Sequence, residues 1–502
     1  MLEYISIVLS FESLLTIFIG TVAGVAIGGM PGLTATMAVG LLVPFTYTMD
    51  PTPGLMLLGG IYCGAMYGGS IPAILLNTPG TPAAVATAIE GYRMSRKGRA
   101  GVALKTSVVA SFCGGTFSAF VLLLFAPFLA MQALKFGPAE TFLLALMGLA
   151  GIVSIADENS SLIKALIAGL IGMIIAIIGT DDMSGSLRYT MGMIELVDGI
   201  DFMPALIGLF SMIQMLELAG MHKQTIDTSI LEKASKKEPL PKGISKFIAL
   251  GSGTGTVIGI LPGEGATIAA FISYNFSKRI SKVKEMFGKG NPEGIAAAEA
   301  GNNGCVGGSL VPTLTLGIPG NSVAAALMGA FIIHGMIPGP ELFTEYADRT
   351  YPFIISLFVA NGVFLMVGIM FAPYLARVAL VPPALMVPVV SAFAVLGSYA
   401  LNNSVFDIYL MIAFAVGGLV LRKVGYSLEA LILGLILGPI AEGGFSQGMI
   451  IGHGSPWVFF ESNIAKLMWV IILLLLLPPL YSYFKTIRHH HNKSVSDSEN
   501  AG

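Results

Sequence analysis

Basic residues in this chain are confined to a few short clusters, with long apolar segments between them. Lys and Arg are absent before Arg93. Most of the 27 basic residues then fall into five clusters, at 93–99, 233–237, 278–289, 422–423 and 485–488. Apolar stretches close to the 20 residues that a membrane helix needs recur between them. This pattern predicts an all-α polytopic membrane protein with about 11–12 transmembrane helices, embedded in a lipid bilayer.

Composition excludes several function classes. Charged residues make up 11% of the chain, against about 25% in average soluble domains. The net charge of −2 offers no electrostatic footprint for nucleic acid. Cys63, Cys113 and Cys305 lie in apolar segments at no metal-ligand spacing, so we expect neither a metal site nor a disulfide.

One catalytic pattern occurs, a GxSxG sequence from Gly444 to Gly448. That motif requires a strand–turn–helix setting, which an all-helical membrane chain does not offer. Neither an HExxH sequence nor a GxxxxGK[ST] phosphate loop is present. We therefore expect no enzymatic activity and no cofactor, apart from a co-transported sodium ion or proton.

The two halves of the chain repeat one another. GVAIGGMPGLTATMA at 24–38 matches GTVIGILPGEGATIA at 255–269. GGSIPAILLNTPGTPAA from residue 68 resembles GGSLVPTLTLGIPGNSVAA from residue 307, with one residue inserted, and FAPFLA recurs as FAPYLA. Three matches in register predict a duplication. The predicted domains are a first transmembrane repeat at 1–220, a basic cytoplasmic linker at 221–246, a second transmembrane repeat at 247–487 and a disordered cytoplasmic tail at 488–502.

The basic loops orient the two repeats, because such loops remain on the cytoplasmic side. In the first half the basic loop, 93–99, follows the second signature. In the second half the basic loop, 278–289, lies between the two signatures instead. Corresponding loops therefore lie on opposite sides of the membrane. The pattern predicts two inverted-topology repeats, as in secondary transporters, with a periplasmic N-terminus and a cytoplasmic C-terminus.

Each half carries two Pro-Gly breaks inside apolar sequence. Freed backbone groups in hydrocarbon cost several kcal/mol each unless they line a cavity or are buried in protein. Paired breaks at corresponding points of two halves indicate a substrate site near the midplane, although simple kinks are the alternative. The predicted substrate-binding residues are Pro31, Gly32, Thr34, Thr36, Ser70, Asn77, Thr78, Pro79, Gly80, Pro262, Gly263, Thr267, Asn302, Asn303, Ser309, Pro319, Gly320 and Asn321.

Two acidic residues stand close to the breaks of the second half. Glu264 directly follows one break, and Glu299 precedes the other within an apolar segment. Ionisable groups inside a membrane are functional candidates, so both are predicted to couple transport to a cation or proton; a solvated helix end is the alternative. The breaks contain no Lys or Arg. Helix N-termini and co-transported cations would therefore neutralise an anionic substrate.

These signatures closely resemble the large membrane subunit of bacterial tripartite tricarboxylate transporters. The resemblance covers nearly the whole chain, and the family motifs map onto 28–36, 68–82, 259–267 and 302–322. It implies a permease that imports citrate or a related di- or tricarboxylate across the bacterial inner membrane with a sodium or proton gradient. It also implies two partners, a small membrane subunit and a periplasmic solute-binding protein. A channel for small organic anions stays open as the alternative.

Overall fold

The fold is almost entirely helical. The computed structural model describes residues 1–155, 162–181, 183–220, 239–261 and 265–477. Eight helices in these ranges are long and apolar enough to cross a membrane, and five shorter apolar helices accompany them. The strand structure of the described part is one antiparallel pair of two-residue strands, β1 (Gly179–Thr180) and β2 (Leu187–Arg188). The predicted class, an all-α polytopic membrane protein, is confirmed.

The first half alternates long helices with short ones that adjoin the breaks. Its helices are α1 (Leu2–Val8), α2 (Phe11–Gly28), α3 (Ala35–Thr46), α4 (Pro51–Gly68), α5 (Ser70–Leu76), α6 (Ala84–Arg96), α7 (Ala100–Ala133), α8 (Pro138–Ile155), α9 (Leu162–Ala176) and α10 (Phe202–Gly220, π-helical over Ile207–Met212).

The second half begins with the same succession of helices and breaks. Its helices are α11 (Ser245–Ile260), α12 (Ala266–Ile280), α13 (Pro292–Leu316), α14 (Ser322–Ile333), α15 (Ala347–Leu375), α16 (Pro383–Asn402), α17 (Val405–Lys423), α18 (Leu428–Ile451), α19 (Val458–Glu461) and α20 (Asn463–Leu477). The GxSxG sequence lies inside α18, so its serine occupies a helix interior and not a strand–turn–helix elbow.

The chain forms two compact units, and each takes segments from both halves. One unit comprises Met1–Leu134 and Met203–Val416, and it contains every predicted break. The other comprises Lys135–Phe202 and Gly417–Gly502. The repeat boundaries stay a prediction. Residues 221–238 of the predicted linker and the whole predicted tail lie outside the described residues.

Glycines bring the first helix of each signature against a later helix of the same half. A Cβ at Gly24 of α2 would overlap the Ile61 carbonyl oxygen of α4. A Cβ at Gly255 of α11 would overlap the Gly301 carbonyl oxygen of α13. Small residues permit this backbone approach between membrane helices. Gly24 and Gly255 occupy matching positions of the repeat, so the two halves share this contact.

The second pair of signatures aligns without an insertion, which corrects the one-residue insertion expected from the sequence. Asn77 follows the last residue of α5 and Gly317 follows the last residue of α13, and both of these C-cap residues adopt the left-handed conformation, with φ of 56° and 67°. The N–H of Thr78 donates to the Pro72 carbonyl, and the N–H of Ile318 donates to the Pro312 carbonyl. The distance along the chain from Asn77 to Gly317 therefore equals the distance from Pro72 to Pro312. The repeated GGS triplet, which suggested the insertion, is therefore offset by one position.

Helices α7 and α15, which carry the third matching signature, pack in opposite directions. A Cβ at Gly115 would overlap the side chain of Asn361, and a Cβ at Gly368 would lie 2.6 Å from Val108 Cγ2. Residue numbers thus increase along one helix as they decrease along the other. Both helices are long enough to cross a membrane.

Candidate functional site

Breaks from the two halves meet where α3 and α14 begin. Thr36 Oγ1 lies 2.8 Å from Ser322 Oγ, and Thr46 Oγ1 lies 3.2 Å from His334 Nε2 at the far ends of the same helices. The helices therefore run parallel, and their N-termini adjoin. Each N-terminus carries unsatisfied N–H groups and a partial positive charge. Two adjoining N-termini form a place that favours an anion.

Polar caps fix the start of both helices. Thr34 Oγ1 accepts a hydrogen bond from the Met37 N–H at 3.2 Å. Asn321 Oδ1 accepts one from the Ala324 N–H at 2.8 Å. Each cap satisfies one of the orphan donors of its helix terminus. The predicted residues Thr34 and Asn321 thus cap the two helices.

Tyr62 of α4 ties the α14 break to α13. Asn321 Nδ2 donates to Tyr62 Oη at 2.9 Å, and this hydroxyl lies 3.1 Å from Ser309 Oγ. Ser309 also donates to the Val306 carbonyl at 3.0 Å. Tyr62, Ser309 and Asn321 are all buried. The sequence did not single out Tyr62, because its partners belong to the other half of the chain.

The glycines of the breaks are required by close packing. A Cβ at Gly80 would overlap the Gly28 carbonyl oxygen, and the Gly80 N–H donates to the Gly69 carbonyl at 3.1 Å. A Cβ at Gly320 would lie 2.6 Å from Ser309 Cα. Gly32 has a φ of 86°, which disfavours other residues. The second break of each half therefore packs closely against earlier backbone of its own half.

Glu299 is a fully buried carboxylate within a shell of hydroxyl groups. Its Oε1 accepts from Thr87 Oγ1, and its Oε2 accepts from Ser111 Oγ at 2.8 Å. Ser70 and Ser107, whose hydroxyl oxygens are 2.9 Å apart, complete the shell. Among the residues that the structure describes, no Lys or Arg forms an ion pair with Glu299. An unpaired buried charge is costly, so this site suits a proton or a bound cation.

The other predicted site residues occupy several environments. Asn302 and Asn303 lie inside α13, where their Nδ2 atoms donate to the carbonyls of Met66 (3.1 Å) and Glu299 (3.2 Å). Asn77 is exposed. Pro31, Thr78 and Pro79 are half-buried at the breaks, and Thr267 is half-buried in the first turn of α12. Pro319 is buried. Pro262, Gly263 and Glu264 lie outside the described residues.

A second buried carboxylate, Glu90, joins α6 to the loop before α13. It accepts from the N–H groups of Gly290 (2.7 Å) and Asn291 (2.8 Å), from the Gly288 N–H, and from Tyr274 Oη at 2.7 Å. These bonds hold the basic loop of the second half against the first. This role could not be predicted from the sequence, because all four donors are distant from Glu90 along the chain.

At the other end of α14, His334 is half-buried beside Thr46. Burial, together with the positive charge of Arg349, lowers the pKa of His334 below its ordinary value. The Glu90 and His334 contacts each join a helix of one half to a residue of the other. Both would have to change if the halves moved relative to each other.

A family model, "Tripartite tricarboxylate transporter TctA family", matches residues 14–433. The chain belongs to this family. The match makes it the large membrane subunit of a tripartite tricarboxylate transporter system, and TctA is a transporter family and not an enzyme family. The TctA region includes all the breaks and the buried residues Glu90 and Glu299.

Two relatives of this TctA chain come from Agrobacterium vitis. The "uncharacterized 52.8 kDa protein in TAR-I ttuC' 3'region" is 35% identical over 492 residues, covering 94% of this chain and 96% of the relative. The "uncharacterized protein in TAR-II ttuC' 3'region" is 36% identical over 232 residues, covering 45% of this chain and 96% of the relative. No solved structure matches the chain.

Proposed function

We propose that this chain is the permease of a secondary transporter that imports citrate or a related di- or tricarboxylate. The observation that carries the proposal is the meeting of the α3 and α14 N-termini at Thr36 and Ser322. Hydroxyl and backbone N–H donors at helix N-termini bind carboxylates and other anions. The breaks carry no Lys or Arg, so these donors and a co-bound cation would balance the substrate's charge.

Alternating access between two inverted repeats is the mechanism we infer. Helices α7 and α15 carry matching signatures and run in opposite directions, as corresponding helices of inverted repeats do. The two halves also meet at two separate places, Glu90 with its loop and Thr46 with His334. Opening one of these contacts while the other stays closed would expose the site to one side of the membrane at a time.

Coupling to a sodium or proton gradient is the second part of the proposal. Glu299 supports it, because a buried carboxylate lined by hydroxyls can hold a proton or a cation. A bound cation would also offset part of the charge that a carboxylate brings into the membrane. Glu264 stays a second coupling candidate on sequence grounds.

Membership of the TctA family supports a proposal about the partners and the location. We infer a small membrane subunit and a periplasmic solute-binding protein that delivers the substrate. We place the chain in the bacterial inner membrane, with its N-terminus in the periplasm and its C-terminus in the cytoplasm. The clustered basic loops support this orientation.

Uptake of labelled citrate, malate and succinate into vesicles tests the proposal. The vesicles contain this chain and the small subunit, and sodium and proton gradients are imposed separately, with and without the binding protein outside. We expect accumulation above the equilibrium level that needs one gradient and the binding protein. No uptake of any di- or tricarboxylate would overturn the substrate class, and downhill flux that needs neither gradient nor binding protein would show a channel.

A further inference from the structure

Two polar clusters occupy corresponding positions in the two halves, and only one of them is satisfied by its own hydrogen bonds. The spacing that relates Pro72 to Pro312 also relates Tyr62 to Asn302, Gly69 to Ser309 and Thr81 to Asn321. In the second-half cluster, which surrounds the break before α14, Tyr62 bonds to both Asn321 and Ser309. In the first-half cluster, at the break before α6, the corresponding residues are Thr81, Asn302 and Gly69, and in each cluster one residue comes from the other half.

This first-half cluster contains two buried oxygens without a partner. Asn302 Oδ1 and Thr81 Oγ1 accept no hydrogen bond from any described residue, although both side chains are more than nine-tenths buried. Buried polar atoms of this kind are uncommon, because each has lost its hydrogen bonds to water without gaining others. Where the second-half cluster has the hydroxyl of Ser309, the first-half cluster has Gly69, which supplies no side-chain donor or acceptor.

Both unpartnered oxygens belong to groups that contact the same turn at the end of α4. Asn302 Nδ2 donates to the Met66 carbonyl at 3.1 Å. Thr81 Oγ1 lies 2.6 Å from the position that a Cβ on Gly69 would take. Met66 and Gly69 are one helical turn apart. The Gly69 carbonyl, which accepts from the Gly80 N–H, lies at the same bend and has a second lone pair.

We propose that this cluster is a binding site for a sodium ion, held by Asn302 Oδ1, Thr81 Oγ1 and the Gly69 carbonyl. Neutral amide, hydroxyl and carbonyl oxygens suit a hard cation of single charge. Transition metals prefer other ligands, and the described residues contain no group of three His, Cys, Asp or Glu that could hold one. Glu299 lies one turn before Asn302 on α13, so a carboxyl group adjoins this part of the helix.

The role of this ion in coupling rests on the proposed function, but its binding does not. The test is therefore thermal unfolding of the purified chain with no carboxylate present. NaCl is varied at constant ionic strength against choline chloride and KCl. We expect sodium to raise the midpoint saturably, since a ligand that binds only the folded state stabilises it. A wild-type midpoint that sodium moves no more than choline does would overturn the proposal and indicate a buried water instead.

Variants locate the site. Thr81→Val removes one ligand oxygen at nearly constant volume, and we expect the half-saturating sodium concentration to rise about tenfold or more, whereas Thr81→Ser keeps it close to the wild-type value. Thr350→Val is the matched control, because the Thr350 hydroxyl is also buried and unpartnered but lies in α15. Unchanged sodium affinity in Thr81→Val, or an equal loss in Thr350→Val, would contradict the assignment.

Two further results separate the possible failures. If Thr81→Val does not fold, Thr81→Ala removes the same oxygen without adding bulk and must meet the same criterion. Sodium binding at Thr81 without carboxylate uptake would retain the ion site and reject the transport proposal. Carboxylate uptake by a chain whose unfolding midpoint does not depend on sodium would retain the transport proposal and reject the ion site.

Discussion

Thr36 and Ser322, separated by 286 positions in the chain, face each other across 2.8 Å at the N-termini of two parallel helices. One helix belongs to each half. A ligand bound between them touches both halves at once. Any movement that separates α3 from α14 would remove one half of its binding site, so binding and movement are linked at this point.

Removing the Thr36 hydroxyl tests this link. We expect Thr36→Val to raise the citrate concentration for half-maximal uptake about tenfold, because one donor to the carboxylate is lost. Concentration dependence of initial uptake rates gives the value. The control is Thr16→Val, whose hydroxyl bonds to the Glu12 carbonyl within α2. An equal effect in both variants would trace the change to folding rather than to binding.

Neutralising Glu299 tests its part in coupling. We expect Glu299→Gln to lose concentrative uptake at least about tenfold, since an amide carries no charge for a proton or cation to balance. Exchange of internal for external citrate, which needs no gradient, should persist. Glu345→Gln, at an exposed position, serves as the control. Concentrative uptake at the wild-type level by Glu299→Gln would rule out this role.

Glu90 is expected to matter chiefly for stability. Glu90→Ala leaves the N–H groups of the 288–291 segment without their acceptor, and we expect a loss of about 3 kcal/mol in the free energy of unfolding. Hydrogen exchange in this segment should accelerate in the same variant. Glu285→Ala lies in the same loop but is exposed, and it should leave both quantities unchanged. Equal stability of the two variants would refute the anchoring role.

Replacing two glycines of α11 by alanine should change the free energy of unfolding differently. We expect Gly255→Ala to cost about 1–3 kcal/mol, because the added methyl overlaps the Gly301 carbonyl oxygen. Gly253→Ala meets nothing within 4 Å and should be neutral or stabilise α11 by up to about 1 kcal/mol. Denaturation of both variants in detergent measures the difference. Tolerance of Gly255→Ala would contradict the close packing of α11 on α13.

The lowered pKa of His334 predicts a dependence of stability on pH. Both states carry neutral His334 well above its ordinary pKa of about 6.5. As the pH falls through this value, the unfolded chain takes up a proton before the folded protein does, so stability decreases. The decrease ends once the folded state is also protonated. His334→Asn should remove this contribution, and unfolding midpoints between pH 5 and pH 8 would show a flatter curve; an identical curve would refute it.

The sequence predicted the membrane class and the breaks because both depend on local properties, apolar length and Pro-Gly chemistry. It could not predict that Thr87 and Ser111 bind Glu299, since these residues come from three helices whose packing no local pattern encodes. Glu90 looked like any acid beside a basic cluster, yet it is buried under a loop of the other half. The GGS triplet misled the alignment by one position, whereas the Pro72 and Pro312 carbonyls gave the correct spacing.

Protection of a thiol placed at position 322 tests most directly whether breaks from both halves form one carboxylate site. Cys63, Cys113 and Cys305 are first replaced by alanine. Ser322→Cys and, as an exposed control, Ser184→Cys are then labelled with a small thiol reagent, with and without citrate, malate or succinate. We expect at least one carboxylate to slow labelling at position 322 and to leave position 184 unaffected. Equal labelling rates at position 322 with every carboxylate and without any would contradict a shared site at Thr36 and Ser322.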